Sequence, residues 1–479
     1  MTITKNTTYL MSASVVQKIL TFTYFIFITR MIGNVNLGKY IFALSFAVIF
    51  SVFIDLGLNQ VLIKEIAKYK EKIIVYLSNI FIFKIFASIV CFLIMVLIIN
   101  LFNKYSLETK ILVYWAGGTM ILDSLNSTFY AVWRGLQNLK YEAIGIIIYQ
   151  VIIIIFGSAA LLLKLPLYTL ILAIILGGLF NFLFILIFLR KKALIFPKII
   201  LFDKKIIFWL LQITIPFAFA TIFSRILGYS DVVLLSILTN DKNVGLYGAA
   251  FKLTFALQFI PGIFAASLFP AFSNYFIYSK EKLINIFEKG VIHLTFIVLP
   301  IVTCSIILAD EIVFGMYGIE FVDSSSALKI LMLGLFFIFL NYINIPFLNA
   351  CNKEIISTTV MGIGMTISII SDLIFIPIYG YIGAAWVSTI VSTIMFCLFL
   401  FWINKIFPEP IWKRKKLIKS VLKFIFSVTI MGLFAFYFKS IIPWFILIFL
   451  SLILYFIILF LIKGITMNEM KIILEKIRK

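Results

Sequence analysis

Nine ionisable side chains stand inside long apolar runs of this sequence: Lys18, Asp55, Lys84, Asp123, Arg225, Asp231, Lys252, His293 and Asp372, with Arg30 near the end of a run. An ionised group at mid-depth in a bilayer costs at least a few kcal/mol, so such groups usually face an aqueous cavity or a partner. Lys18 and Arg225 are the pair best placed to bind something. Each lies roughly 13 Å or more into its run at about 1.5 Å of rise per residue, at corresponding places in an internal repeat. Together they suit a multiply charged anion, Arg225 through its planar fork and Lys18 as a point charge. The competing reading is that each neutralises a carboxylate and only holds helices together. Lys252, about two turns from the end of its run, either joins this pair or carries its ammonium along its stem to the interface. For Lys84 the second course is favoured, and Arg30 reads as a helix-end anchor.

Asp55, Asp123, Asp231 and Asp372 offer different chemistry. A carboxylate in such a place can exchange a proton or bind a cation during a cycle, which is how ion gradients are coupled to transport. Asp55, beside Gly57, alternatively pairs with loop lysines, and Asp123 with Lys18. His293 falls in the first turns of its run, where packing or an interfacial role outweighs a proton relay. Cys91, Cys304, Cys351 and Cys397 show no CxxC spacing and read as small apolar fillers. No GxxxxGK(S/T) loop occurs, so no nucleotide is implied, and neither is a metal or other cofactor.

The elements that hold these residues follow from composition. With 63% hydrophobic and 13% charged residues, the chain departs from a soluble globule and reads as an all-α polytopic membrane protein. The net charge of +21 sits in short loops between apolar runs, which argues for membrane topology and against a nucleic-acid partner. Runs of about 20 apolar residues predict fourteen spans, among them 9–32, 38–62, 245–272, 355–377, 381–404 and 443–462. Pro216 and Pro261 are places where the long seventh and eighth spans bend. With the N-terminus inside, 29 of the 41 Lys and Arg fall on that side, 8 on the other and 4 within spans. Both termini are therefore expected in the cytoplasm, with no removable signal peptide. Lysine-rich stretches at 63–75 and 274–287 suit short helices on an anionic membrane surface. The longest outer loop is about 310–326.

The chain also repeats itself. Asn36, Leu37, Gly38 and Tyr40 reappear 207 positions later as Asn243, Val244, Gly245 and Tyr247, and the same offset carries Lys18 onto Arg225. Leu165–Tyr168 (LPLY) is echoed at Ile376–Tyr379 (IPIY) with an offset of 211. Six spans per repeat give two six-helix lobes related by a pseudo-two-fold along the membrane normal. The expected organisation is an N-lobe at 1–200, a C-lobe at 201–406, and spans 13 and 14 with a cytoplasmic tail at 407–479.

The strings IGNVNLGKYIFALSF with DLGLNQVLIKEIAKYK, then YSDVVLLSILTNDKNVGLYGAAFKL with FPAFS, then LNACNKEIISTT leading to LIFIPIYGYIGAAWVST stand in order along the chain, and RGLQNLKYE lies at Arg134 to Glu142. They resemble the polysaccharide-biosynthesis flippases of the multidrug/oligosaccharidyl-lipid/polysaccharide exporter superfamily. The resemblance implies two six-helix lobes flanking a cavity that opens alternately inward and outward. It also implies a lipid-linked oligosaccharide as cargo, with its pyrophosphate held by cavity cations. Membrane lipids, H+ or Na+, and other polysaccharide-assembly membrane proteins are the implied partners. Where such proteins often carry an Asn-rich stretch before the IPxYG turn, this chain has SIISDLIF with Asp372. Two alternatives stand beside the flippase: an ion-coupled multidrug antiporter, which calls for carboxylates more than cations, and an integral-membrane polysaccharide polymerase or ligase. The enzyme would need catalytic groups gathered in a substantial loop, and no loop here is long enough. A structural membrane scaffold would leave the repeated cations unexplained.

Overall fold

The computed structural model describes residues 3–193, 195–198, 202–407 and 414–463, and every regular element among them is helical. Lys413, in the basic run before the thirteenth span, and the tail at 464–479 lie outside the described residues. In chain order the helices are α1 (Ile3–Asp55), α2 (Leu58–Lys68), α3 (Ile73–Leu101), α4 (Leu107–Gly135), α5 (Lys140–Leu162), α6 (Tyr168–Phe188), α7 (Lys204–Leu238), α8 (Asp241–Leu257), α9 (Phe259–Tyr278), α10 (Lys280–Ile307), α11 (Ala309–Tyr317), α12 (Ser324–Ala350), α13 (Glu354–Asn404), α14 (Lys415–Phe438) and α15 (Trp444–Leu461).

Among the described residues, eleven helical stretches are long and apolar enough to cross a membrane. Two of them, of 47 and 51 residues, turn back at Gly33 (φ 74°) and Gly380 (φ 57°) and make two crossings each. Glycine takes such angles without a Cβ penalty. Helix α4 has 29 residues and carries Glu108, Lys110, Asp123 and Arg134 along an otherwise apolar course. It supplies the fourteenth crossing. Helices α8 and α9 form one crossing interrupted at Gln258, three residues before Pro261, where the missing amide donor weakens the turn. At Pro216, by contrast, α7 continues as one helix of 35 residues.

Packing divides the chain into two compact units, Met1–Gly248 and Ala249–Lys479. In the first unit, buried residues of α2, α3, α4, α6 and α7 share one core. In the second, Phe287, Phe347 and Phe407 cluster with ring centroids 4.6 to 5.7 Å apart. Phe424 and Met431 of α14 and Tyr455 of α15 pack with Cys304 and Phe296 of α10, and Tyr455 donates to the Phe296 carbonyl at 3.1 Å. Arg414 adds an ion pair to the buried Glu288 at 2.8 Å.

Three local expectations are corrected. The second span ends at Asp55 rather than 62, because Leu56 (φ 44°) and Gly57 (φ 80°) break the helix. Beyond them, α2 does not rest its apolar face on the membrane: Leu58, Val61, Leu62 and Ile66 are buried among α3, α4 and α7. Its lysines Lys64 and Lys68 remain exposed. The stretch 274–287 forms no separate surface helix, since α9 ends at Tyr278 and α10 starts at Lys280 with Ser279 as its N-cap. The outer loop 310–326 is mostly helical, holding α11 and a 3-10 turn at Ile319–Phe321.

Candidate functional site

Lys18 on α1 and Arg225 on α7 are both exposed, and α1 packs against α7 within the first unit. Neither is close to a helix end. Turning a charge toward lipid at that depth is costly, so exposure there is best satisfied by water. Asp123 on α4 is likewise exposed, and it lies within direct electrostatic reach of Arg225. Asp123 thus feels the charge of Arg225 on α7, where the sequence offered Lys18 as one alternative partner.

The spans of the first unit also hold several neutral polar groups, of which Tyr149 is in electrostatic reach of Asp123 as well as of Tyr40 and Tyr130. Tyr130 donates to Asn181 Oδ1 at 2.7 Å, and Thr21 donates to Gln150 Oε1 at 2.7 Å. Asn126 reaches the Gly178 carbonyl at 3.1 Å, while its own Oδ1 has no hydrogen-bond partner among the described residues. Four helices, α1, α4, α5 and α6, therefore present hydroxyl and amide groups in the unit that holds Asp123 and Arg225. Sequence reasoning missed this set, because a tyrosine or asparagine in an apolar run carries no mark of what it faces.

The other shortlisted groups are engaged elsewhere. Lys84 does not reach an interface: it is wholly buried and donates to Asp55 at 2.5 Å and Asn59 at 2.8 Å. Asn59 in turn donates to Ser127 at 3.0 Å, so α1, α2, α3 and α4 are tied together where α1 ends. Asp231 is buried and accepts from Tyr247 at 2.7 Å. Asp372 is fully buried in α13. Lys252 is half-buried on α8, and Arg30 is exposed. His293 is half-buried, with Nδ1 2.6 Å from the Lys289 carbonyl of its own helix and its ring 6.1 Å from Phe264.

The repeat motif has a direct structural use. A Cβ on Gly38 would lie 1.8 Å from the Asp241 carbonyl oxygen, and one on Gly245 would lie 1.9 Å from that of Asn34. Asn34 and Asp241 are separated by the same 207 positions as Gly38 and Gly245. The contact is therefore its own image under the repeat, with α1 and α8 crossing backbone to backbone. Small residues permit such close approach. Beside it, Lys104 donates to the carbonyls of Ser236 at 2.7 Å, Ile237 at 2.9 Å and Thr239, closing the end of α7. Burial pulls the Lys104 ammonium below the ordinary lysine range, with nearby Asp241 acting against it. Lys39 pairs with Glu108 at 2.5 Å.

Among the described residues, an all-helical architecture with fourteen crossings and charged residues exposed at mid-span defines a multi-span integral membrane protein. Its fold is that of known transporters. A solved structure described as "Lipid II flippase MurJ, inward closed conformation" matches with a TM-score of 0.77 at 20% identity, over 94% of this chain and 97% of that one. An inward-facing multidrug resistance MATE family transporter of the MOP superfamily matches at 0.68 and 15% identity, over 81% and 94%. An uncharacterized membrane protein of Methanocaldococcus jannaschii is 26% identical over 427 residues, 83% of each chain. Residues 3–276 match the family described as polysaccharide biosynthesis protein, and the chain belongs to that family.

Proposed function

We propose that the protein is a flippase moving a polyprenyl-(pyro)phosphate-linked oligosaccharide from the cytoplasmic to the outer leaflet of the cell membrane, for cell-surface polysaccharide biosynthesis. The observation that carries this reading is the pair of cations Lys18 and Arg225, exposed within spans of the same compact unit. In this reading they hold the phosphate groups, while the lipid tail stays in the bilayer. Alternating access moves the cargo by rocking of the lobes 1–200 and 201–406. Both termini are cytoplasmic, which puts the basic ends of α2 and α14 on the inner side. Family membership and the fold shared with a lipid II flippase support the class of cargo.

Asp123 is the carboxylate best placed for coupling, since uptake of H+ or Na+ there would release Arg225 to the incoming anion. Asp55, Asp231 and Asp372 are secondary candidates. The antiporter reading keeps the same fold but asks for carboxylates open to the cargo. Asp55 is paired with Lys84, Asp231 and Asp372 are buried, and the exposed Asp123 lies in the field of Arg225, so anionic cargo is the better fit. The protein acts as a transporter rather than a polymerase or ligase, among membrane lipids and other polysaccharide-assembly membrane proteins.

The test is translocation of a lipid-linked oligosaccharide in proteoliposomes by the wild type, Lys18→Ala and Arg225→Ala, each checked for folding. The reading predicts transport by the wild type and loss in both variants. Unchanged transport in the variants would remove the site but keep the function. A wild type that instead exchanges organic cations for H+ or Na+ would replace the reading with the antiporter.

A further inference from the structure

At the lysine-rich end of α14 the surface is cut by a groove of about 640 Å³. Two rows of side chains line it. Lys415, Lys419 and Lys423 follow one another every four residues, as do Ile418, Leu422 and Phe426, with Ile462 of the α15 terminus closing the far side. Residues four apart share one face of a helix about 6 Å from each other. A cationic row and an apolar row thus run side by side. Lys415 and Lys419 are exposed, as are Ile418 at 41%, Leu422 at 61% and Phe426 at 55%. Lys423 is half-buried and donates to the Lys463 carbonyl at 2.7 Å, which ties α14 to the end of α15. Among the described residues no carboxylate lines the groove, and the lysines of the row repel one another.

We infer that this groove binds an acidic glycerophospholipid of the adjoining leaflet, its phosphate on Lys415 and Lys419 and one acyl chain along Ile418, Leu422 and Phe426. The parallel rows select both halves of the ligand. An anionic head offsets the repulsion within the row, and a hydrocarbon chain covers apolar side chains at the depth where headgroups meet the bilayer interior. Three lysines in line favour a phosphate over a zwitterionic headgroup, whose own cation would meet the same row. The groove belongs wholly to α14 and the end of α15, outside the helices that carry Lys18 and Arg225. The inference rests on the chain spanning a membrane and is independent of what it transports.

The experiment is native mass spectrometry of the full chain released from nanodiscs, with phosphatidylglycerol and phosphatidylcholine as competing probes. The wild type retains one phosphatidylglycerol in preference to phosphatidylcholine. Lys415→Gln and Lys419→Gln each lower that retention about fivefold, the effect expected of one lysine near a membrane surface. Leu422→Gln, which keeps all three lysines, lowers it for the acyl-chain half of the site. Lys415, Lys419 and Leu422 are exposed, so the variants fold, which their melting temperatures verify. Equal retention of the two lipids, or retention unmoved by the lysine variants, overturns the inference. Displacement by millimolar inorganic phosphate would reduce the site to an anion site. Displacement by equimolar polyprenyl phosphate would make it a prenyl-chain site, and either result overturns the phospholipid assignment.

Discussion

Replacing Gly38 by alanine tests the crossing of α1 and α8 directly. The added methyl would lie 1.8 Å from the Asp241 carbonyl oxygen and within 3.1 Å of the Gly245 nitrogen, both of them backbone atoms. To restore even a 3.0 Å contact the helices would have to separate by more than 1 Å, and no flexible side chain can yield instead. Overpacking a rigid contact costs about 1–3 kcal/mol, and this one belongs at the upper end, about 3 kcal/mol. For a unit of this size that corresponds to a fall in melting temperature of roughly 6–12 °C. Gly245→Ala should cost a similar amount, because it meets the Asn34 carbonyl at 1.9 Å. Both substitutions prise open the same crossing, so the double variant should lose clearly less than the two single losses added together. Gly228→Ala is the internal control: it lies within α7 with nothing within 4 Å of a built Cβ, and alanine there should be neutral or stabilising by about 0.5–1 kcal/mol. The assay is thermal unfolding of purified protein in detergent micelles. Gly38→Ala melting with Gly228→Ala, or strict additivity in the double variant, would refute the reasoning.

Lys84→Met leaves Asp55 without its ammonium. Because the Asp55 side chain keeps 25% of its accessibility, the loss falls at the low end for a broken buried pair, about 3 kcal/mol, and adding Asp55→Asn should recover part of it in the same melting assay. Asp123→Asn removes the carboxylate beside Arg225 and should tighten binding of a water-soluble pyrophosphate headgroup analogue by roughly fivefold, for a charge interaction of about 1 kcal/mol, read by titration calorimetry. At the surface, burial pushes the Asp310 carboxyl up, but hydrogen bonds from Lys329 and Ser325 and the charges of Lys329 and Lys439 outweigh it and hold the group below the ordinary aspartate range. A carboxyl lowered by folding stabilises above its unfolded pKa, and that gain is lost as pH falls through its folded value. The pair is exposed, so Asp310→Asn should cost only a few tenths of a kcal/mol at pH 7, a difference that closes below about pH 4 in melts recorded against pH.

Much of the architecture was legible because hydrocarbon length and glycine geometry leave few choices. Span count and repeat could be read since a crossing needs a long apolar run, and since only glycine fits where Gly38 and Gly245 meet. The face of α2 was not legible: Val61, Leu62 and Ile66 are equally suited to lipid and to a protein core. Lys84 was misjudged for a related reason, as a long stem near a span end permits either snorkelling or burial. Only the position of Asp55 and Asn59 opposite its ammonium decides between them. For the site, charge in an apolar run marked Lys18, Asp123 and Arg225, but it could not say which cation Asp123 faces. Tyr149, in reach of Asp123, gave no signal at all, because a tyrosine is tolerated in a span without serving a ligand.

The central claim, that Arg225 binds the anionic part of the cargo, is tested most directly by equilibrium binding of a short-chain polyprenyl-pyrophosphate oligosaccharide to purified wild type, Arg225→Ala and Arg225→Lys. Loss of charge-assisted hydrogen bonds worth about 1.5–3 kcal/mol predicts a Kd raised at least tenfold in Arg225→Ala, with Arg225→Lys falling between the two. An Arg225→Ala protein that melts like the wild type and binds with the same Kd would contradict the account.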